Sequence, residues 1–263
     1  MHPITTLAVP SGKIGIHWFE QSSYALKDTT GTLLLIDPYF PTHRPNDRFI
    51  HPQPPANGAD LPADIVLLTH SHLDHTDPES IAPLHNAHPN VIYVGPQDAI
   101  AKIVAGGGIN PAHTRVMTAG QSLQVKNITI HAVYSKPPAG DPAAGIQPPD
   151  VPHFGYVVEM GGRRLYFSGD PINTFADLPE LVAAVATLQP EIGFLTTHPS
   201  EGEFPFFAES AKMAQRIGLS VAVPAHYQCF VKRNYDPLEW AAHFTGGTPQ
   251  TLILAHNSSS VWG

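Results

Sequence analysis

The chain is poor in cysteine, in charged residues and in long apolar runs, and each shortage excludes a class of protein. Among 263 residues there is one cysteine, Cys229, so no intrachain disulfide can form, which suits a reducing compartment. The longest apolar runs, such as residues 33–36 and 65–68, stop far short of the ~20 apolar residues that cross a bilayer. We therefore expect a cytoplasmic protein without a membrane partner.

The charge balance argues for a small-molecule substrate. Charged residues make up 14% of the chain, and the formal net charge is -8 at pH 7. Nucleic acid is excluded as the main partner, because phosphate binding needs a basic surface. Self-association into a homo-oligomer is left open by the composition.

Proline, by contrast, is abundant, with 28 residues. Two proline-rich stretches, residues 38–62 and 136–152, separate apolar strand-like runs. Loops of this length inside a compact domain usually serve a function. We expect both to frame a pocket.

The hydrophobic pattern predicts short strands early in the chain and alternating strands and helices later. Strands are predicted at residues 14–19, 23–26, 32–36, 64–69, 91–94, 128–134, 154–160, 164–168, 192–196, 221–224 and 251–255. Helices are predicted at residues 77–86, 97–105, 179–188 and 207–217, and from 236 onward. With no internal repeat and no linker, this order predicts one α+β domain, residues 1–263, with helices outside two sheets.

Histidine is the residue whose arrangement carries the chemistry. His70 and His72 stand two apart just beyond the strand predicted at residues 64–69. In extended backbone, residues i and i+2 face the same way, so both imidazoles can reach one cation. Asp74 and His75 follow as the chain turns toward a helix, where they can serve a second cation. The alternative is that these residues form a polar turn in which the histidines are solvated and bind no metal.

The motif His-Ser-His-Leu-Asp-His at residues 70–75 resembles the signature of the metallo-β-lactamase superfamily, and further landmarks follow in the family's order. Asp37 resembles the strand-end aspartate that supports the metal site. Asp170, in Ser-Gly-Asp, resembles the carboxylate that bridges two metals, and His226 resembles the final ligand histidine. The resemblance covers residues 14–256. It implies a four-layer αββα sandwich that binds one or two divalent ions, with zinc or manganese favoured over iron.

Within that superfamily the chain is most similar to the L-ascorbate-6-phosphate lactonase branch, through residues 94–96, 125–132 and 165–170. This resemblance implies a hydrolase in which a metal-activated hydroxide attacks an ester or lactone, for instance a phosphorylated sugar lactone. Asp74 would then act as metal ligand and as acid–base catalyst. Two alternatives stay open: a phosphodiesterase on the same two-metal site, and a non-catalytic metal-binding or interaction module.

The chain departs from the family pattern after the strand at residues 128–134. Many members carry a ligand histidine there, whereas this chain has Ser135, Lys136 and two prolines. His153, at the far end of the following loop, is a candidate replacement, while His131 is better read as a strand residue. The remaining candidates are expected at the pocket wall and rim as substrate contacts: His198, Gln21, Arg44, Arg48 and Lys136.

Overall fold

The apolar runs of the sequence assemble into two mixed sheets. A computed structural model describes residues 2–198, 202 and 204–263. Within this range each sheet has seven strands, and the sheets pack face to face with helices on their outer surfaces. The predicted four-layer αββα sandwich is confirmed.

The first sheet is built from the N-terminal half of the chain and closed by its C-terminal strand. Its strands are β1 (Ile14–Trp18), β2 (Tyr24–Lys27), β3 (Leu33–Ile36), β4 (Ile65–Leu67), β5 (Ile92–Gly95), β6 (Thr114–Val116) and β14 (Ser258–Trp262). They lie in the order β14-β1-β2-β3-β4-β5-β6. Pairing is antiparallel from β14 to β3 and parallel from β3 to β6.

The second sheet follows the same plan. Its strands are β7 (Ser122–Val125), β8 (Ile128–Tyr134), β9 (Phe154–Met160), β10 (Arg163–Phe167), β11 (Ile192–Thr196), β12 (Val221–Ala225) and β13 (Gln250–Thr251). They lie in the order β13-β12-β11-β10-β9-β8-β7, with parallel pairing from β10 to β13. The β9–β10 hairpin turns at Gly161 and Gly162, both at positive φ, as a two-residue turn requires.

Helices cover the two outer faces. They are α1 (Pro3–Thr6), α2 (Pro78–Ala87), α3 (Gln97–Gly107), α4 (Pro179–Ala186), α5 (Phe207–Ile217) and α6 (Pro237–Ala242). Asp77 caps α2, since its carboxylate accepts the backbone N–H groups of Glu79 and Ser80. No helix in the described part of the chain is long and apolar enough to cross a membrane.

Strand alternation divides the apolar residues between the layers. In β3, Leu34 and Ile36 point to the core between the sheets, whereas Leu35 points outward to the layer of α2 and α3. On the far side, Leu195 of β11 packs under α4, α5 and α6. Both faces of these central strands are buried, which explains their continuous apolar runs.

The prediction was wrong near the C-terminus and at two short strands. The strand expected at residues 251–255 is reduced to β13, because the chain leaves the sheet after Thr251. The polar strand β14 was missed, as were β6, β7 and the one-turn α1. Edge strands such as β14 lack an apolar pattern, because pairing with a neighbour rather than burial holds them in place.

Candidate metal centre

The sheets position the predicted site because several strands end at one edge. β3 and β4 run parallel in the first sheet, and β10, β11 and β12 run parallel in the second. Asp37 follows β3, and the motif at residues 70–75 follows β4. Asp170 follows β10, and His226 follows β12. Since the carboxyl ends of parallel strands share an edge, residues far apart in sequence meet there.

The first group of side chains contains His70, His72 and His153. One nitrogen of each lies within 4.8 Å of the others. The rings of His70 and His153 stack with their centroids 4.1 Å apart. Asp170 reaches this group from the second sheet, with its Oδ2 3.8 Å from His70 Nε2. His153, the candidate replacement ligand, thus lies beside His70 and His72.

The second group contains Asp74, His75 and His226. Asp74 Oδ2 lies 3.9 Å from His75 Nε2 and 3.4 Å from His226 Nε2. Asp170 Oδ1 lies 3.4 Å from His75 Nε2 and 3.6 Å from His226 Nε2. Because the other oxygen of Asp170 faces His70, this carboxylate lies between the two groups.

Asp37 lies beneath the second group and fixes one of its imidazoles. Its carboxylate accepts the Thr69 backbone N–H at 2.8 Å and the Thr69 hydroxyl at 2.6 Å. It also lies 2.7 Å from His75 Nδ1. A carboxylate on Nδ1 holds the ring so that Nε2 faces the group, which is the supporting position expected for Asp37.

Charge dominates the titration of the second group. Burial alone would lower the pKa of His75, but Asp170 and Asp74 outweigh it and raise that pKa well above its ordinary value. Burial alone would raise the pKa of Asp170, but His226 and His75 hold it well below the usual range. In the metal-free protein, a protonated His75 therefore faces an ionised Asp170.

The first group behaves differently. Burial, reinforced by the nearby charge of Lys136, lowers the pKa of His153 to about 3. Burial also lowers the pKa of His70 well below its ordinary value. Both imidazoles are therefore neutral at physiological pH, which is the protonation state that binds a cation.

Unpaired buried atoms mark where a cation fits. Among the residues described, His70 Nε2, both ring nitrogens of His153 and Asp170 Oδ1 are buried without a hydrogen-bond partner. Leaving such an atom unpaired costs about 1–3 kcal/mol, so several of them in one place call for a ligand. Imidazole and carboxylate are donors that zinc and manganese accept. The donor set therefore fits a divalent cation.

Asp150 is a site residue that the sequence analysis missed. Its Oδ2 lies 2.9 Å from His72 Nε2, and 69% of its side chain is exposed. The proline-rich loop at residues 136–152 therefore touches the histidine motif directly. Its place three residues before His153 is the sequence signal that could have indicated it.

His198 was expected to contact substrate, and its position does not allow this. It is 1% exposed, and its Nε2 lies 2.5 Å from His226 Nδ1. Because β11 and β12 are parallel neighbours, the residues after them face each other, and His198 orients His226 instead.

The three cations expected at the rim occupy different places. Arg44 is buried against Glu20, with Nη1 2.6 Å from Oε1, so the expectation of a rim position was wrong. A buried guanidinium needs a carboxylate, and Glu20 provides one. Lys136 is also buried, near His153. Arg48 is exposed at the opening of the site.

Glu20 also lies with His51 and His256, one ligand atom from each being within 4.8 Å of the others. This cluster of Glu20, His51 and His256 lies apart from the two groups of the metal centre and differs from them in charge. Arg44 already balances Glu20, so a dication added there would have no negative charge left to compensate it.

A cavity of about 420 Å³ opens beside the second group. It is lined by Asp47, Arg48, Leu73, Asp74, Phe230, Lys232 and Arg233. The guanidinium of Arg48 lies over the rings of Phe49 and Phe230, at 5.4 and 5.5 Å from their centroids. Asp74 is thus the acidic group of the centre that faces a basic, partly apolar cavity.

Known proteins share this sequence pattern. Residues 32–227 match a family model described as a Beta-lactamase superfamily domain. A UPF0173 metal-dependent hydrolase of Myxococcus xanthus is 28% identical over 231 residues, which cover 85% of this chain and 74% of the relative. A probable L-ascorbate-6-phosphate lactonase UlaG of Salmonella heidelberg is 28% identical over 191 residues, covering 67% of this chain. The chain spans about half of that relative, 52% of its length.

A solved structure shares the fold. The isothiocyanate hydrolase from Delia radicum gut bacteria superposes with a TM-score of 0.70. The alignment covers 94% of this chain and 98% of that one, at 19% sequence identity. At this identity the likeness shows the architecture alone.

Proposed function

Because this chain belongs to the beta-lactamase superfamily, we propose that the metal-dependent hydrolase it forms acts on an ester or lactone. One observation carries the proposal: unpaired buried atoms of His70, His153 and Asp170 converge where the strands of both sheets end. A structural role alone would leave no reason to bury these atoms without partners.

The centre has the groups that hydrolysis requires. A divalent cation held there by His70, His72, His153 and Asp170 would lower the pKa of water and polarise a carbonyl oxygen. Asp74 is placed for proton transfer, since 25% of its side chain is exposed against 10% for Asp170, and it lines the cavity. We propose that the Asp74 carboxylate accepts the proton that water loses when it attacks the carbonyl carbon. Asp74 returns that proton to the alkoxide when the acyl carbon–oxygen bond breaks.

The cavity favours an anionic substrate of modest size. Arg48, Lys232 and Arg233 surround a volume of about 420 Å³, which suits a small ligand. Leu73 and Phe230 add an apolar surface for a ring or carbon chain. A lactone that carries a phosphate or carboxylate, such as a phosphorylated sugar lactone, fits this combination.

Phosphodiester hydrolysis is the second candidate, because the same three cations would also hold a phosphodiester. A non-catalytic metal-binding or interaction module is the third. It would need the partly buried Asp74 to have no chemical role, although this residue alone of the two groups lines the cavity.

The direct test measures metal content and turnover together. The protein is stripped with a chelator, reloaded with zinc or manganese, and offered lactones, phosphodiesters and thioesters with and without an anionic group. We expect lactone turnover that needs metal, and a KM that rises by tenfold or more for Arg48→Glu while metal content stays constant. Phosphodiester turnover alone would favour the second candidate. Bound metal without turnover of any substrate would favour the third.

Two variants test the residue roles. Asp74→Asn should lower kcat by roughly 10²–10⁴-fold, since general acid–base groups contribute that much. His131→Ala is the matched control, because His131 lies on β8 and pairs with Ser122 and Glu159. Equal losses in the two variants would count against a catalytic Asp74.

A further inference from the structure

The two positions of the centre differ in what their donor atoms contact. At the first, His70 Nε2 and both ring nitrogens of His153 are buried without a hydrogen-bond partner among the residues described. At the second, one amide nitrogen lies beside three of the candidate donors: Gln21 Nε2 lies 3.0 Å from Asp74 Oδ2. It also lies 3.2 Å from the Nε2 of His75 and 2.9 Å from that of His226.

The direction of the Gln21 amide is set by its surroundings. The backbone N–H of Ser22 donates to Oε1, which leaves the NH₂ group pointing at the second position. The backbone of Gln21 is held by Tyr227 and His226: its N–H donates to Tyr227 O at 3.0 Å, and its carbonyl accepts from His226 N at 2.9 Å. The indole of Trp18 donates to the same carbonyl at 3.1 Å. Gln21 is fully buried, so its amide is confined there.

An amide NH₂ and a metal ion compete for the same lone pairs. The amide offers two N–H donors, which a carboxylate and an imidazole nitrogen can accept. A cation at this position would need Asp74 Oδ2 and the Nε2 atoms of His75 and His226, and the amide nitrogen lies within 3.2 Å of all three. The cation would therefore have to displace the buried Gln21 amide. A cation at the first position instead meets nitrogens of His70 and His153 that have no hydrogen-bond partner among the residues described.

We propose that Gln21 takes the place of a second cation, so that the chain binds one divalent ion tightly, between His70, His72, His153 and Asp170. The inference rests on the proposed metal-dependent function and specifies its stoichiometry. The neutral amide keeps Asp74 free of a second metal, which suits a carboxylate that must accept and return a proton.

The test counts bound cations. Metal-free protein is titrated with Zn²⁺ by calorimetry, and its zinc content is measured after desalting. We expect one tight equivalent in the wild type. Gln21→Ala should bind the second equivalent at least about tenfold more tightly, since no buried amide then has to give up its hydrogen bonds. Gln21→Glu is the second variant. It replaces the amide with a carboxylate of nearly equal size, and the added negative charge should raise the affinity for the second zinc ion further.

Gln189→Ala is the matched control, because Gln189 is also at positive φ but exposed and remote from the centre. It should leave one tight equivalent. Two equally tight equivalents in the wild type would overturn the inference while leaving the metal-dependent function intact. Loss of a cation in Gln21→Ala would also overturn it, by making Gln21 a ligand. A wild type that binds no zinc or manganese would instead refute the proposed function.

Discussion

Removing the negative charge of Glu20 is expected to destabilise the fold strongly, although Glu20 lies outside the metal centre. Its carboxylate forms a two-point pair with Arg44, at 2.6 Å and 2.9 Å. Both side chains are 0% exposed, so water cannot replace the lost partner. Arg44 also donates Nε to the His51 carbonyl at 2.8 Å and lies 4.4 Å from the Phe49 ring centroid, which fixes it in place.

The expected magnitude follows from this burial. Breaking a buried pair by removing one partner costs about 3–5 kcal/mol, because the remaining charge stays uncompensated. Glu20→Gln keeps one oxygen that can accept from Arg44, so we expect about 3 kcal/mol. The double variant Glu20→Met with Arg44→Met should lose less than the sum of the single changes, because it leaves no lone buried charge.

The assay is urea unfolding of the metal-free protein, followed by circular dichroism and analysed by linear extrapolation. Lys212→Ala is the control, because the Lys212–Asp177 pair at 2.7 Å is largely exposed and should matter little. A loss below about 1 kcal/mol for Glu20→Gln, or additive effects in the double variant, would refute the buried-pair reasoning.

Three further predictions concern the site. His70→Ala should weaken binding of the tight cation by 10²-fold or more in a zinc titration, whereas His131→Ala should not, and equal effects would argue against the assigned position. In the metal-free protein, the pKa of His75 is raised above its ordinary value of 6.5. The contribution of protonated His75 to the free energy of unfolding is therefore complete below pH 6.5 and is lost as the pH rises toward the raised pKa. Urea unfolding between pH 6.5 and 9 should show this decline, and His75→Gln should flatten it. Gly169→Ala should destabilise the fold and reduce metal uptake, because φ is +55° and a Cβ would lie 2.6 Å from the Phe154 carbonyl oxygen; normal uptake would contradict this.

The parts of the site that the sequence predicted are those whose geometry is local. His70 and His72 are two residues apart after an apolar strand, so their shared direction follows from strand geometry. Helix α2 could be predicted because Asp77 and Pro78 are typical of a helix start, and the structure has them there.

The parts that could not be predicted depend on contacts between distant residues. The sequence suggests that Arg44 is a surface cation. In the structure, Arg44 pairs with Glu20, which lies 24 residues earlier in the chain. The sequence suggests that His198 is a pocket residue. In the structure, the parallel pairing of β11 and β12 places it beside His226. Gln21 has no sequence signal for its role, because its direction depends on the backbone bridge to Tyr227.

Three residues of the centre that follow strands have an unfavourable backbone conformation. Gln21, Asp37 and His226 have φ values of 55°, 41° and 64°, in the left-handed region that costs a non-glycine residue about 1–2 kcal/mol. Glycine would relieve each of these costs but would remove the side chain that the centre uses. At Gly169 the chain does use glycine, because there the next residue, Asp170, supplies the carboxylate. The left-handed turn thus recurs at several strand ends, and the residue that adopts it is glycine only where its own side chain is not needed.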